Sequence, residues 1–119
     1  MKANRLTILV LALAAPARTL ACTPVLPTES MFQDAAIVLI GKAVSSRWVP
    51  GARDNLLVSV KTIETLRGTV TDTLEAASPC ALPIDDGERV VVVSGVERLF
   101  VYPADMYESA ARAGVRGGR

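Results

Sequence analysis

The sequence predicts a mainly β fold, a small closed barrel of five strands with a short helix before it and another helix after it. Five short segments rich in β-branched and apolar residues follow one another between turn signals. A glycine in the first segment and a shift of alternation in the second indicate bulges, which bend strands as a barrel requires. Because an open sheet would leave strand edges exposed, we expect this one to close.

The elements before and within the barrel are predicted from capping residues and alternation. Thr28 can cap a helix over residues 28–34, and Glu29 suits its first turn. Gly41 predicts a bulge or bend in the first strand, and the alternation of the second strand shifts near Thr62. The predicted strands cover residues 35–48, 56–66, 69–77, 89–94 and 98–102.

A helix is predicted after the last strand. Pro103 can start it, residues 104–113 form it and Gly114 can end it. Three residues at helical spacing are expected to dock this helix on the barrel, namely Met106, Ala110 and Ala113. Residues 115–119 are expected to form a disordered tail.

Residues 1–21 have the pattern of a secretory signal peptide. Lys2 and Arg5 give a positive start, and residues 6–15 form an apolar run broken only by a threonine. This run is too short to span a bilayer, which takes about 20 residues. The sequence therefore predicts a protein that is secreted or held in the periplasm or cell envelope, and we expect no membrane span.

Two cleavage sites have small residues at the positions that signal peptidases read. Cleavage after Ala21 releases Cys22 as the first residue of the mature chain, whereas cleavage after Ala17 leaves four residues before it. Residues 19–22 also resemble, in part, a bacterial lipobox. A lipid anchor on Cys22 is therefore an alternative to a free amino terminus.

Composition excludes several classes of function. Without residues 1–21 the chain has 98 residues, enough for one small domain, and its ten basic and twelve acidic residues give a net charge of −2. A basic face for nucleic acid is therefore not expected. Histidine is absent, which excludes Ser-His-Asp and Cys-His catalysis and most zinc sites. We expect no enzyme activity, no cofactor and no metal of the protein's own.

Cys22 and Cys80 are the only two cysteines, so only one disulfide is possible. A bond between them would close a loop of about 58 residues and contribute on the order of 4 kcal/mol to stability. Such a bond is the usual supplement to the limited core of a small secreted domain. A purely stabilising role for it is one interpretation.

The order of several short motifs resembles a known module. The mature chain would begin Cys22-Thr23, and the first strand contains DAAIVLIGKAV over residues 34–44. The second strand ends in Leu66-Arg67-Gly68, and DGERVVVV covers residues 86–93. This order over residues 22–102 resembles the netrin-like (NTR) domain, in particular that of the tissue inhibitors of metalloproteinases and their bacterial relatives. The resemblance implies an OB-like Greek-key barrel, and we place the domain at residues 22–114.

The resemblance also implies a mechanism. Inhibitors of this family bind the catalytic zinc of a metalloproteinase through the amine and carbonyl oxygen of the amino-terminal cysteine. Here Cys22 would be the chelating residue, Cys80 its disulfide partner, and Thr23 the side chain that enters the pocket of the protease. The family usually begins Cys-x-Cys, and Pro24 stands where the second cysteine would be.

The competing interpretation is a binding or structural module of the cell envelope that inhibits nothing, with a possible lipid anchor at Cys22. Trp48, at the end of the first strand, is expected to cap the barrel, with contact to a partner as the alternative. No nucleic-acid partner is expected.

Overall fold

The structure, a computed structural model, describes residues 26–50 and 56–117. The predicted leader, Cys22 and Thr23 lie outside these residues. The elements are α1 (Glu29–Asp34), β1 (Val38–Trp48), β2 (Leu56–Arg67), β3 (Thr73–Ser78), β4 (Arg89–Ser94), β5 (Leu99–Pro103) and α2 (Ala104–Gly117).

The five strands form a closed barrel in the order β1-β2-β3-β5-β4. Strands β3 and β5 are parallel, and the other neighbouring strands are antiparallel. This confirms the predicted fold class, a mainly β, OB-like barrel with a short helix before it and a helix after it. The closed order pairs β1 with both β2 and β4 and leaves no strand at a free sheet edge along its whole length.

Local hydrogen bonds explain where two element boundaries differ from prediction. Thr28 caps α1 as predicted, since its hydroxyl oxygen accepts from the Met31 N–H at 3.3 Å. The Ala35 N–H still bonds to the Met31 carbonyl at 3.1 Å, so β1 begins three residues later than expected. Strand β3 begins at Thr73, because the Thr71 hydroxyl bonds to the Thr73 carbonyl at 2.7 Å and so competes with the ladder.

The bulge predicted near Thr62 in β2 is confirmed, whereas the bulged residue of β1 is Val44 rather than Gly41. The register shifts between Ile40 and Gly41, and the residue of β2 left without a partner there is Ile63. A Cβ atom at Gly41 would lie 2.4 Å from the Val60 Cγ1 atom. Glycine is therefore required here by the close approach of β2, and the extra residue Ile63 lets β2 bend around the barrel.

Two apolar clusters lie on opposite sides of the sheet. One fills the barrel and contains Leu39, Ala43, Val58, Val60, Ala76, Ile84, Val90, Val92 and Val101. The other lies between the barrel and the helices and contains Phe32, Ala35, Val38, Ile40, Val91, Val93, Tyr102, Ala104 and Ala111. Residues 90–93 alternate between the two clusters, which explains the uninterrupted valine run of β4.

Helix α2 docks through a different face from the one predicted. Ala104, Ala111 and Gly114 are buried, and the Tyr107 ring packs edge-on against Tyr102 at 5.7 Å. Met106 is 68% exposed, so its predicted docking role is wrong, whereas Ala110 packs against the cluster between the barrel and the helices as predicted. The true contact stripe is also spaced by three and four residues, but it is offset from the predicted stripe and is centred on an aromatic side chain.

The helix also extends beyond Gly114, where it was predicted to end, and residues 115–117 are helical rather than part of a tail. A Cβ atom at Gly114 would lie 2.6 Å from the Phe32 Cβ atom. This glycine therefore allows α1 and α2 to pack closely instead of ending the helix. Residues 118–119 lie outside the described part of the chain.

Arg67, at the end of β2, joins the barrel to both helices. One of its terminal nitrogens donates to the carbonyl oxygens of Phe32, Gln33 and Ala35 at 2.6–3.0 Å. The other terminal nitrogen donates to the Val115 carbonyl oxygen at 3.4 Å. These carbonyl groups lie at the carboxyl ends of the two helices, where they have no hydrogen-bond partner within their own helix. One guanidinium group thus satisfies the carboxyl end of α1 and contacts that of α2.

An ion-pair network holds the outer side of α2 against the barrel. Arg89 of β4 bonds to Glu108 at 2.8 Å, and Arg112 bonds both to Glu108 at 3.1 Å and to Glu64 of β2 at 2.8 Å. Hydrogen bonds from Arg89, and then from Arg112, lower the pKa of Glu108 to about 2 despite partial burial. The network therefore links α2 to β4 as long as Glu108 is ionised, and links α2 to β2 through Arg112 and Glu64.

Candidate functional site

One end of the barrel carries Cys80. Trp48 at the end of β1 pairs with Leu56 at the start of β2, which pairs in turn with Ser78 at the end of β3. Cys80 follows Ser78 by two residues, in the short 3-10 turn Pro79–Ala81. The turn between β1 and β2 and the cysteine loop after β3 therefore leave the barrel at the same end.

The turn that contains Cys80 has an unusual backbone. Cys80 and Ala81 have φ angles of 53° and 54°, in the left-handed region that costs about 1–2 kcal/mol per residue outside glycine. The buried Ser78 hydroxyl donates to the Leu82 carbonyl at 2.6 Å, and the Leu82 N–H bonds to the Pro79 carbonyl. These bonds hold the turn in place, so the direction of the half-buried Cys80 side chain is set by the barrel.

The predicted partner of Cys80 lies outside the described residues. The disulfide between Cys22 and Cys80 therefore stays a prediction, as do the chelating role of Cys22 and the pocket contact of Thr23. The first two described residues are Leu26, which is 55% exposed, and Pro27, which is buried.

A groove of about 310 Å³ lies on the outer face of the sheet beside this end of the barrel. Its apolar residues come from β2, β3, β5 and the residue after β1, and its charged residues come from β3 and the connection between β4 and β5. They are Val49, Leu57, Ala77 and Leu99, together with Glu75, Glu97 and Arg98. The groove thus combines an apolar floor with a charged rim.

One charge on the rim is neutralised within the protein. Arg47 of β1 donates two hydrogen bonds to the Glu75 carboxylate, at 3.0 and 3.1 Å. These bonds hold the pKa of Glu75 below its usual value and raise that of Arg47. Glu97 and Arg98 are exposed and leave both signs of charge on the other side of the groove.

Two large apolar side chains are exposed next to residues that line the groove. Trp48 is 66% exposed and precedes Val49, and Val96 is fully exposed and precedes Glu97. The expectation that Trp48 caps the barrel is therefore wrong. Sequence reasoning missed Val96, although a valine between Gly95 and a glutamate in a short connection is an unusual place for an apolar side chain.

Within residues 26–50 and 56–117, no group of three or more cysteine, aspartate or glutamate residues is placed to hold a metal ion. Glu88, in the acidic turn before β4, instead accepts the Asp85 N–H through its carboxylate at 3.1 Å. No helix in the same ranges is both long and apolar enough to cross a bilayer.

Comparison with known proteins adds no family to this geometry. A scan against protein-family models and a search of curated proteins both found no match to the chain.

Proposed function

We propose that this protein is a secreted inhibitor of zinc metalloproteinases that acts through the amino-terminal Cys22. Its amine and carbonyl oxygen would chelate the catalytic zinc of the protease, and Thr23 would enter the adjoining pocket. The observation that supports this proposal is the rigid turn around Cys80 at an end of the barrel that also exposes Trp48. A disulfide to that turn would hold the amino terminus beside a surface available to a partner.

The proposed chemistry suits an open zinc site. A catalytic zinc keeps one coordination position for water or substrate and can expand to five ligands, so a neutral amine and a carbonyl oxygen could both bind it once the water is displaced. An α-amine has a pKa of about 8, so much of it is neutral at mildly alkaline pH. Because the turn around Cys80 is held by the bonds of Ser78 and Leu82, little conformational entropy would be lost on binding.

The experiment compares the chain that begins at Cys22 with a variant that carries one extra alanine before it. Both are assayed against a panel of zinc metalloproteinases, and a third protein with the same alanine added after Arg119 is the matched control. We expect the first and third proteins to inhibit and the second to be inactive, because the extension converts the amine into an amide. Inhibition by the extended protein would disprove chelation.

A second candidate function, a module of the cell envelope that inhibits nothing, is favoured by the exposed Trp48 and Val96 beside the groove. Exposed apolar side chains around a concave surface are typical of binding sites. This candidate predicts that none of the three proteins inhibits. If Cys22 carries a lipid anchor, the intact mass of the exported protein will exceed that of the chain by acyl groups.

A further inference from the structure

The second half of β1 is paired on one side only. Strand β4 pairs with β1 over residues 38–42, and the last bonds on that side join Ala43 to Gly87 and Glu88, at 2.7 and 2.8 Å. Residues 45–48 pair with β2 on the other side. Among residues 26–50 and 56–117, no strand pairs with the edge of residues 44–48 that faces away from β2, which we call the free edge.

The backbone groups of Ser46 and Trp48 point toward the free edge. The Thr62 N–H of β2 donates to the carbonyl of Asp72, on the β3 side, so Thr62 turns its backbone groups away from β1. This direction alternates along a strand, and the even-numbered residues of β2 that precede Thr62 therefore also face β3. Ser46 and Trp48 are register partners of even-numbered residues, so their own N–H and carbonyl groups point away from β2.

The free edge lacks most features that protect a strand edge from pairing. All five residues are exposed, including two large apolar side chains, Val44 at 53% and Trp48 at 66%. The segment contains no lysine and no proline, and the bulge at Val44 leaves residues 45–48 in continuous register. Its one charged residue, Arg47, reaches across β2 to Glu75 of β3, so this charge points away from the edge. Such an edge is a template for another strand.

We propose that residues 44–48 pair antiparallel with the same residues of a second copy of this chain, with Ser46 of each copy opposite Trp48 of the other. All four outward backbone groups of each copy then have partners, in four hydrogen bonds related by a twofold axis. Arg47 lies opposite its counterpart, but Glu75 of the same copy already neutralises each guanidinium group. The pairing involves neither Cys22 nor the chemistry proposed for it.

The side chains of this alignment are complementary as well. Directly opposite residues share one face of a sheet, so each Trp48 ring lies beside the small Ser46 side chain of the other copy. The exposed ring is thereby covered without steric conflict. Five residues a side bury less than the roughly 1,200 Å² of a stable interface, so we expect a weak dimer with a dissociation constant on the order of 100 μM.

The experiment measures self-association of the exported protein by sedimentation equilibrium and by fluorescence. Trp48 is the only tryptophan, so its emission should move to shorter wavelength as the second copy covers it. Ser46→Pro removes one outward donor from each copy and should weaken the dimer at least about tenfold, as expected for the loss of two hydrogen bonds. The matched control is Ser46→Ala, which keeps the N–H group and should associate like the wild type.

Two checks keep the outcome decisive. Ser46→Pro should still fold, because the lost N–H group does not bond to β2, and thermal unfolding shows whether it does. If it does not fold, Trp48→Lys tests the same contact by sedimentation, since it places a charge on an exposed position of the edge. A folded Ser46→Pro or Trp48→Lys variant that associates as strongly as the wild type would overturn the proposal. A wild type that stays monomeric to about tenfold above the expected constant would also overturn it, and would leave the edge to a strand of another protein.

Discussion

Gly68 and Gly87 have nearly the same backbone conformation and very different surroundings. Their φ angles are +89° and +87°, a region that strains any residue with a Cβ atom. A Cβ atom at Gly68 would lie 2.6 Å from the Ala36 carbonyl oxygen, whereas at Gly87 the nearest atom is a flexible Lys42 side-chain carbon at 3.9 Å. The two positions therefore separate backbone strain from steric conflict.

We expect Gly87→Ala to lower the free energy of unfolding by about 1–2 kcal/mol, the cost of the left-handed backbone alone. Gly68→Ala should cost at least about 1 kcal/mol more, because the backbone of residues 36–37 must move to admit the methyl group. Urea unfolding of both variants measures the difference. Equal losses would show that the segment around Ala36 yields without cost.

At the scale of single elements, strands were predicted better than helix faces. Alternation with period two predicted β2 to within one residue of its observed bounds, and a continuous apolar run predicted both ends of β4. The face of α2 was mispredicted because two stripes of similar spacing compete in a short helix. The ring of Tyr102 on β5, which packs against Tyr107, favours the observed stripe.

The ion pairs of α2 should make its docking depend on pH. The pKa of Glu108 is about 2 in the folded protein and near 4.5 when the residue is free, so the folded state favours the charged form. Its contribution is complete above the unfolded pKa and is lost as the pH falls through the folded one, between about pH 5 and pH 2.

We therefore expect Glu108→Gln to lower the free energy of unfolding by about 1 kcal/mol at neutral pH, a value reduced for solvent screening. The deficit should shrink as the pH falls below about 4.5 and vanish only below about pH 2. Chemical unfolding across this range measures it, with the exposed Glu97→Gln as control, expected to change stability by less than about 0.5 kcal/mol. A deficit that stays constant with pH would show that the carboxylate charge contributes nothing.

At the scale of the whole molecule, the barrel could be predicted from the sequence, whereas its groove could not. Five strands and two bulges indicated closure, but the groove depends on β3 lying beside β5, a parallel contact that no local pattern reveals. Cys80 was named from the sequence as the possible partner of Cys22, but the left-handed backbone of its turn was not predicted. The pairing of Lys42 with Lys61 could not be predicted without the register between β1 and β2, since the two residues lie 19 positions apart in the chain.

The predicted disulfide should stabilise the whole molecule. If Cys22 and Cys80 are bonded, we expect reductant to lower the thermal midpoint of the protein by about 15 °C, given up to about 4 kcal/mol of stabilisation in a domain of this size. Reduction should also add the mass of two hydrogen atoms to the intact chain. The control is Cys80→Ser, whose midpoint should match that of the reduced wild type with or without reductant. A wild type whose midpoint ignores reductant would contradict the predicted bond.

The contacts of Arg67 have a consequence for the order in which the chain can fold during synthesis. Helix α1 packs against Gly114 of α2, and its carboxyl end is bonded by Arg67 from the end of β2. Its core residue Phe32 is therefore not fully buried until α2 has been made. A growing chain on the ribosome would hold Phe32 in solvent for some 80 residues of synthesis. Stable folding of this domain therefore awaits the synthesis of α2, and until then the translating chain lacks the contacts that complete its helical layer.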